Sequence, residues 1–260
     1  MSLAPLNAPD WLVARPIAHR GLHAAGAGVI ENSLAAARAA VARGFAIECD
    51  VQDSADGEAM VFHDHELARL TGENGVLRER RADAIARLTL AGSGERVPSL
   101  SELLATVAGH VPLVVEIKSR FDADPRLTRR TLALLAGYDG PACVKSCDPF
   151  VVALAREIAP ERPRGIVGRS VPDGEDGERP GRERARDMSD LAMSELLHFE
   201  RTQPDFLSWR AKDLPCVATH LCRTLRGMPV MTWTLRDAQA AGDALAYADQ
   251  IIFESFDPQG

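Results

Sequence analysis

Aromatic side chains are scarce in this chain, only 3 Trp, 2 Tyr and 8 Phe in 260 residues. A ladder of base-stacking rings is therefore excluded as its main binding surface. Basic charge is in deficit as well, with 30 Lys and Arg against 37 Asp and Glu for a net charge of −7. A nucleic-acid binder would show a basic excess or stripe, so none is expected as partner. Long apolar runs are missing, because the most apolar stretches reach about five to seven residues where a bilayer span needs about 20. The start, Met1-Ser2-Leu3-Ala4-Pro5, lacks the basic-then-apolar layout of a signal peptide, and no basic amphipathic helix is evident. No stable membrane association is expected. The five cysteines (Cys49, Cys143, Cys147, Cys216 and Cys222) are odd in number and contain no C-x-x-C pair. They read as small buried thiols in a reducing compartment, and the cytoplasm is the expected location.

What is present is an ordinary globular composition, 46% hydrophobic and 26% charged. The length suits one large domain over residues 1–260, able to bury about three quarters of its unfolded surface without staples. Short apolar segments alternate with longer Ala- and Leu-rich segments of helical period. The first kind comprises Pro16–Ala18, Ala46–Val51, Ala59–Phe62, Pro112–Ile117, Ala142–Lys145, Gly165–Gly168, Asp205–Ser208, Pro229–Thr234 and Gln250–Phe253. The second comprises Ser33–Arg43, Ser99–Gly109, Arg126–Ala136, Pro149–Ala159, Arg184–His198, Val217–Arg226 and Arg236–Ala246. With Ala59–Phe62 taken as an extension of the second strand, eight principal strands remain. That predicts an α/β fold, a (β/α)8 TIM barrel, ahead of an open doubly wound sheet.

Local signals mark several helix starts. Asn32 or Ser33 can cap the first helix, Ser99 with Glu102 reads as a capping box, and Asp148-Pro149 supplies a cap and an N1 proline. Two stretches break the rhythm. Residues 64–98 are too long for a simple connection and read as a small insertion after the second strand. Residues 172–187 are charged and rich in Gly and Pro, and read as a solvated loop, with a lid as the sharper alternative.

Functional residues of a parallel barrel gather at the carboxyl ends of its strands. Here those ends read His19-Arg20-Gly21, Glu48-Cys49-Asp50, His63-Asp64 and Glu116-Ile117-Lys118. Side chains at i and i+2 share a face, so Glu48 and Asp50 point one way and Cys49 toward the outer helices. Glu116 and Lys118 share a face likewise. If both pairs face the mouth, three carboxylates converge, which requires protonation or a shared cation. Oxygen donors suit Mg²⁺ or Ca²⁺ better than zinc. The competing reading pairs these acids with Arg20 and Lys118. His19 and His63, beside the acids, form a candidate acid–base pair. A cation, Arg20, Lys118 and two histidines together suit the holding and splitting of an anionic ester.

His19-Arg20-Gly21, Glu31-Asn32-Ser33, Glu48-x-Asp50, Phe62-His63-Asp64 and Glu116-x-Lys118 follow one another in the order and spacing of a known pattern. Over residues 16–118 the chain resembles the bacterial glycerophosphodiester phosphodiesterase family. Ser146-Cys147-Asp148-Pro149 and Thr232-Trp233-Thr234 extend the resemblance more loosely. It implies a (β/α)8 barrel that hydrolyses glycerophosphodiesters to sn-glycerol 3-phosphate and an alcohol. By the same resemblance Glu48, Asp50 and Glu116 would hold one divalent cation, with Mg²⁺ and Ca²⁺ both open. His19 and His63 would exchange protons, Arg20 and Lys118 would bind phosphate, and Glu31 and Trp233 would touch the substrate. The chain departs from the family at Ile30, where proline is usual, and at Ser33, where threonine is usual. Its last strand ends Ile252-Phe253-Glu254-Ser255 in place of a threonine–aspartate ending. A membrane-acting phospholipase of the same superfamily and an inert phosphodiester-binding barrel are the competing functional readings. Headgroup preference, oligomeric state, and cyclic-phosphate chemistry against direct attack by water stay open.

Overall fold

The computed structural model describes residues 6–170 and 188–259. Among these, nine strands form one sheet: β1 Ile17–Ala18, β2 Ala46–Asp53, β3 Ala59–Val61, β4 Leu113–Ile117, β5 Ala142–Ser146, β6 Arg164–Gly168, β7 Phe206–Arg210, β8 Val230–Leu235 and β9 Gln250–Phe253. Eight run parallel in the order β1-β2-β4-β5-β6-β7-β8-β9, and β9 pairs with β1 to close a barrel. β3 is antiparallel and lies along the far end of β2, with Val51 opposite Val61. The eight-fold reading of the sequence therefore holds, with Ala59–Val61 as the extension.

Closure follows from the burial pattern. β2 is buried along nearly its whole length, so both of its faces are covered and its polar residues lie inside. Cys49, Val51, Val115, Val144 and Leu135 pack with Ala37, Leu100, Leu103 and Val107 in the layer between sheet and helices. Inside, Ile17, Ala46, Val114, Cys143, Phe206, Met231 and Ile252 form a separate cluster, plugged by Leu12 from the turn Asp10–Leu12. These apolar residues are the floor of the barrel. Two positions further along their strands come His19, Glu48, Glu116, Lys145, Ser208, Trp233 and Glu254. The two-residue period of a strand thus lifts a polar layer directly above an apolar one.

The expected helix starts are realised. Ser33 accepts from the amide of Ala36, the Ser99–Glu102 capping box is complete, and Asp148 accepts from Phe150 N ahead of Pro149. Asn32 does not cap; at φ 57° it turns toward Asp50 instead. Residues 64–98 carry two short helices, Ala68–Thr71 and Ala82–Ile85, around a small core of Met60, Phe62, Leu67, Leu77, Ile85 and Leu90. The helix expected at 184–198 is seen as Met188–Ser194, and the charged stretch 172–187 lies outside the described residues. No helix among the described residues is long and apolar enough to cross a membrane, and all five cysteines are free.

His198 gives the fold a pH signature. It is buried, with Nδ1 3.1 Å from Thr202 Oγ1, and burial, aided by Arg201, pushes its pKa down to about 4. Above pH 6.5 the ring is neutral in folded and unfolded chains alike. As pH falls from 6.5 toward 4, the unfolded chain takes up a proton that the folded one refuses, so stability drops. Partial solvent access limits the loss to about 1–2 kcal/mol. Denaturant melts at pH 7 and pH 4.5 should show that loss for the native chain and a smaller one for His198→Gln.

Candidate active site

The site is built on the polar layer at the carboxyl ends of β1, β2, β4, β5 and β9. Glu48, Asp50 and Glu116 each present an oxygen, and the three oxygens lie within 4.8 Å of one another. Glu48 and Asp50 are each 1% exposed. The register explains the approach, since Asp50 is opposite Glu116 across β2–β4 and Glu116 is opposite Lys145 across β4–β5. Three buried hard oxygen donors suit one divalent cation of the Mg²⁺ or Ca²⁺ kind.

Cations of the chain already touch these acids. Lys118 Nζ lies 2.8 Å from Asp50 Oδ1 and 2.6 Å from Glu116 Oε1. Lys145 Nζ lies 3.0 Å from both Glu48 Oε1 and Glu116 Oε2. Burial opposes ionisation of Asp50, but Lys118, His63 and Arg20 outweigh it and hold the carboxyl far below its usual range. Glu116 is held down in the same way by Lys118 and Lys145. Arg20 Nε is 3.4 Å from Asp50, buried and without a hydrogen-bond partner. A buried unpaired donor beside the acids is a natural seat for an anion. Both expectations for the acids, convergence and pairing with Arg20 and Lys118, are therefore met together.

The turn that carries His19 and Arg20 is fixed by backbone geometry. Arg20 has φ 58° and Gly21 φ 79°, and a Cβ at Gly21 would sit 2.8 Å from that of Ala36. Only glycine fits against the first helix there. Asn32 N donates to Arg20 O at 2.8 Å, and Asn32 Nδ2 to Asp50 Oδ2 at 2.9 Å. Glu31 follows into place, accepting from Arg20 Nη1 at 2.6 Å.

Both histidines are oriented by carboxylates. His19 Nδ1 is 2.5 Å from Glu254 Oε2, and His63 Nδ1 is 2.7 Å from Asp64 Oδ1. An ionised carboxylate only accepts, so Nδ1 carries the hydrogen in each and Nε2 is left for proton transfer. The bond from His19 is the main reason Glu254 is held well below the usual carboxylate range. Asp64 is pulled down to about 2 against the effect of burial, by Arg69 and His63. Arg69, from the insertion, also bonds Glu31 at 2.8 and 2.9 Å. Gln52 Nε2 donates to the carbonyls of Phe62, His63 and Asp64, which seats the His63 segment on β2.

Lys145, Glu254, Arg69, Gln52 and Asn32 were given no role in the site from the sequence. Parity could have found Lys145 and Glu254, which stand two residues after the floor residues Cys143 and Ile252. Trp233 faces the same mouth from the opposite wall, donating from Nε1 to Ser208 O at 3.0 Å. It lines a cavity of about 640 Å³ with Arg169, Arg210, Arg236 and Tyr247, which none of the three carboxylates borders.

Residues 19–138 match the Glycerophosphoryl diester phosphodiesterase family. A glycerophosphodiester phosphodiesterase of Caldanaerobacter subterraneus is 29% identical over 162 residues, covering 58% of this chain and 65% of its own length. The chain thus spans a little under two thirds of that relative. In structure it is similar to an Oleispira antarctica phosphodiesterase solved in complex with the product sn-glycerol-3-phosphate (TM-score 0.77, 20% identity, 95% of each chain). It is also similar to a glycerophosphodiester phosphodiesterase of Thermotoga maritima (TM-score 0.67, 22% identity, 91% of this chain and 92% of that one). The two structures share its barrel fold.

Proposed function

We propose, from the premise that this chain belongs to the glycerophosphodiester phosphodiesterase family, that it hydrolyses glycerophosphodiesters to sn-glycerol 3-phosphate and an alcohol. The observation that carries this reading is the meeting of three buried carboxylates with two carboxylate-oriented histidines at one barrel mouth. The product seen in the Oleispira relative agrees with it.

Glu48, Asp50 and Glu116 would hold one divalent cation, Mg²⁺ or Ca²⁺. Bound there, the cation supplies Lewis-acid stabilisation of charge on a phosphoryl oxygen. Arg20 Nε and Lys118 Nζ flank the acids and would grip the remaining phosphate oxygens. Glu31 fixes the Arg20 guanidinium, and both it and Trp233 would bound the space for the substrate. His19 and His63 would divide the proton work, one accepting from the attacking hydroxyl and the other protonating the leaving alcohol at Nε2. One domain over residues 1–260 acting in the cytoplasm, as the unpaired cysteines favour, completes the reading.

Incubating the chain with glycerophosphocholine or glycerophosphoethanolamine should release sn-glycerol 3-phosphate, measurable with a coupled dehydrogenase. EDTA should abolish the release and added Mg²⁺ or Ca²⁺ restore it. Turnover indifferent to EDTA would remove the cation from the reading, and no release from either diester would remove the substrate class.

A further inference from the structure

Lys145 stands apart from the other cations of the mouth. It lies inside β5, two residues above the floor residue Cys143, and its side chain is 3% exposed. Lys118 lies just beyond the end of β4 and is 17% exposed, so its ammonium has room to turn toward a ligand. Lys145 has no such room. Its ammonium bridges Glu48 Oε1 and Glu116 Oε2, joining two of the three carboxylates within the polar layer.

Every oxygen of the three acids has a partner. Glu48 has Lys145 and the amide of Arg20; Glu116 has Lys118 and Lys145; Asp50 has Lys118 and Asn32. Each carboxylate oxygen carries a second lone pair, so these contacts leave capacity for a cation. The charge is what Lys145 changes. Arg20 is matched by Glu31, and three carboxylates against two lysines leave one net negative charge. A divalent cation turns that into one net positive charge, suited to a phosphodiester anion. Without Lys145 the empty cluster would be more negative, and the loaded one neutral.

We propose that Lys145 is a resident counter-ion of the Glu48–Asp50–Glu116 cluster, a positioning residue that weakens divalent-cation binding and strengthens binding of the substrate phosphate. It holds Glu48 and Glu116 at their spacing before the cation arrives and stays paired with them afterwards. The inference rests on the cation reading above and adds a trade between two affinities.

The test uses calorimetric titration of the full chain and of Lys145→Met, which keeps length and removes charge. Mg²⁺ and Ca²⁺ are titrated first, then sn-glycerol 3-phosphate at saturating cation. Lys145→Met should bind the cation at least about tenfold more tightly, as the loss of a buried positive charge a few ångströms away requires. It should bind sn-glycerol 3-phosphate about threefold or more weakly. Should Lys145→Met not fold, Lys145→Gln carries the same expectations. A role in packing alone predicts cation affinity equal to or below that of the native chain, and that result overturns the proposal while leaving the cation site intact. Failure of both variants to fold even with the cation present overturns it too, because the cation replaces the lost charge. Absence of cation binding in the native chain would overturn the cation reading itself, and the counter-ion role with it.

Discussion

His63→Ala is expected to lower kcat for glycerophosphocholine by about 10²–10⁴-fold, the usual cost of losing a general acid or base. The side chain is 32% exposed and its partner Asp64 stays neutralised by Arg69, so the fold should survive. Thermal melts of the variant should match those of the native chain. His19→Ala should lose a similar factor but also some stability. Its removal leaves Glu254, which is 14% exposed, with Arg236 and the more distant His23. Stranding part of a buried carboxylate costs about 1–3 kcal/mol. A diester with a highly acidic leaving group separates the two roles. The variant lacking the acid recovers on it, because the departing oxygen no longer needs a proton, and the variant lacking the base does not. Near-native turnover in both alanine variants would refute the acid–base assignment.

Asp50→Asn should remove measurable cation binding and lower turnover by about 10³-fold or more, since a cation bound there would supply several kcal/mol and each 1.36 kcal/mol is a factor of ten. Asp50 has the most side-chain partners of the three acids. It touches Lys118, Asn32 and Arg20, and its burial leaves water no way to replace it. The amide keeps the shape and a hydrogen-bonding oxygen but not the charge. Calorimetry with Mg²⁺ and Ca²⁺ reads the first effect, and the coupled assay reads the second. Native-like cation affinity in Asp50→Asn would move the cation elsewhere.

The parts legible in the sequence were those governed by short-range rules. Ser33, Ser99 and Asp148 announced their helices through hydrogen bonds made within three residues. Strand parity put Glu48 with Asp50, and Glu116 with Lys118, because a two-residue period needs no knowledge of neighbours; the meeting of the two pairs at one mouth is supplied by the β2–β4 register. What escaped depends on closure of the barrel. Glu254 meets His19 across 235 residues, and nothing local at either end marks the pair. Lys145 is a single charge at the end of an apolar run; parity lifts it above Cys143, but only the closed sheet brings it to Glu48 and Glu116. Arg69 sits on a four-residue helix, too short to show a period, and Gln52 is uncharged although it holds the His63 segment by three bonds.

The apolar floor has a consequence for traffic. With Leu12 seated among Ile17, Ala46, Val114 and Ile252, and Gln250 tied to Val13 O at 2.8 Å, the barrel is a cup and not a tube. Whatever enters over the rim must leave over the same rim. On the proposed activity, the two fragments of one diester would therefore queue at a single exit, and the second would have to clear it before the next molecule descends.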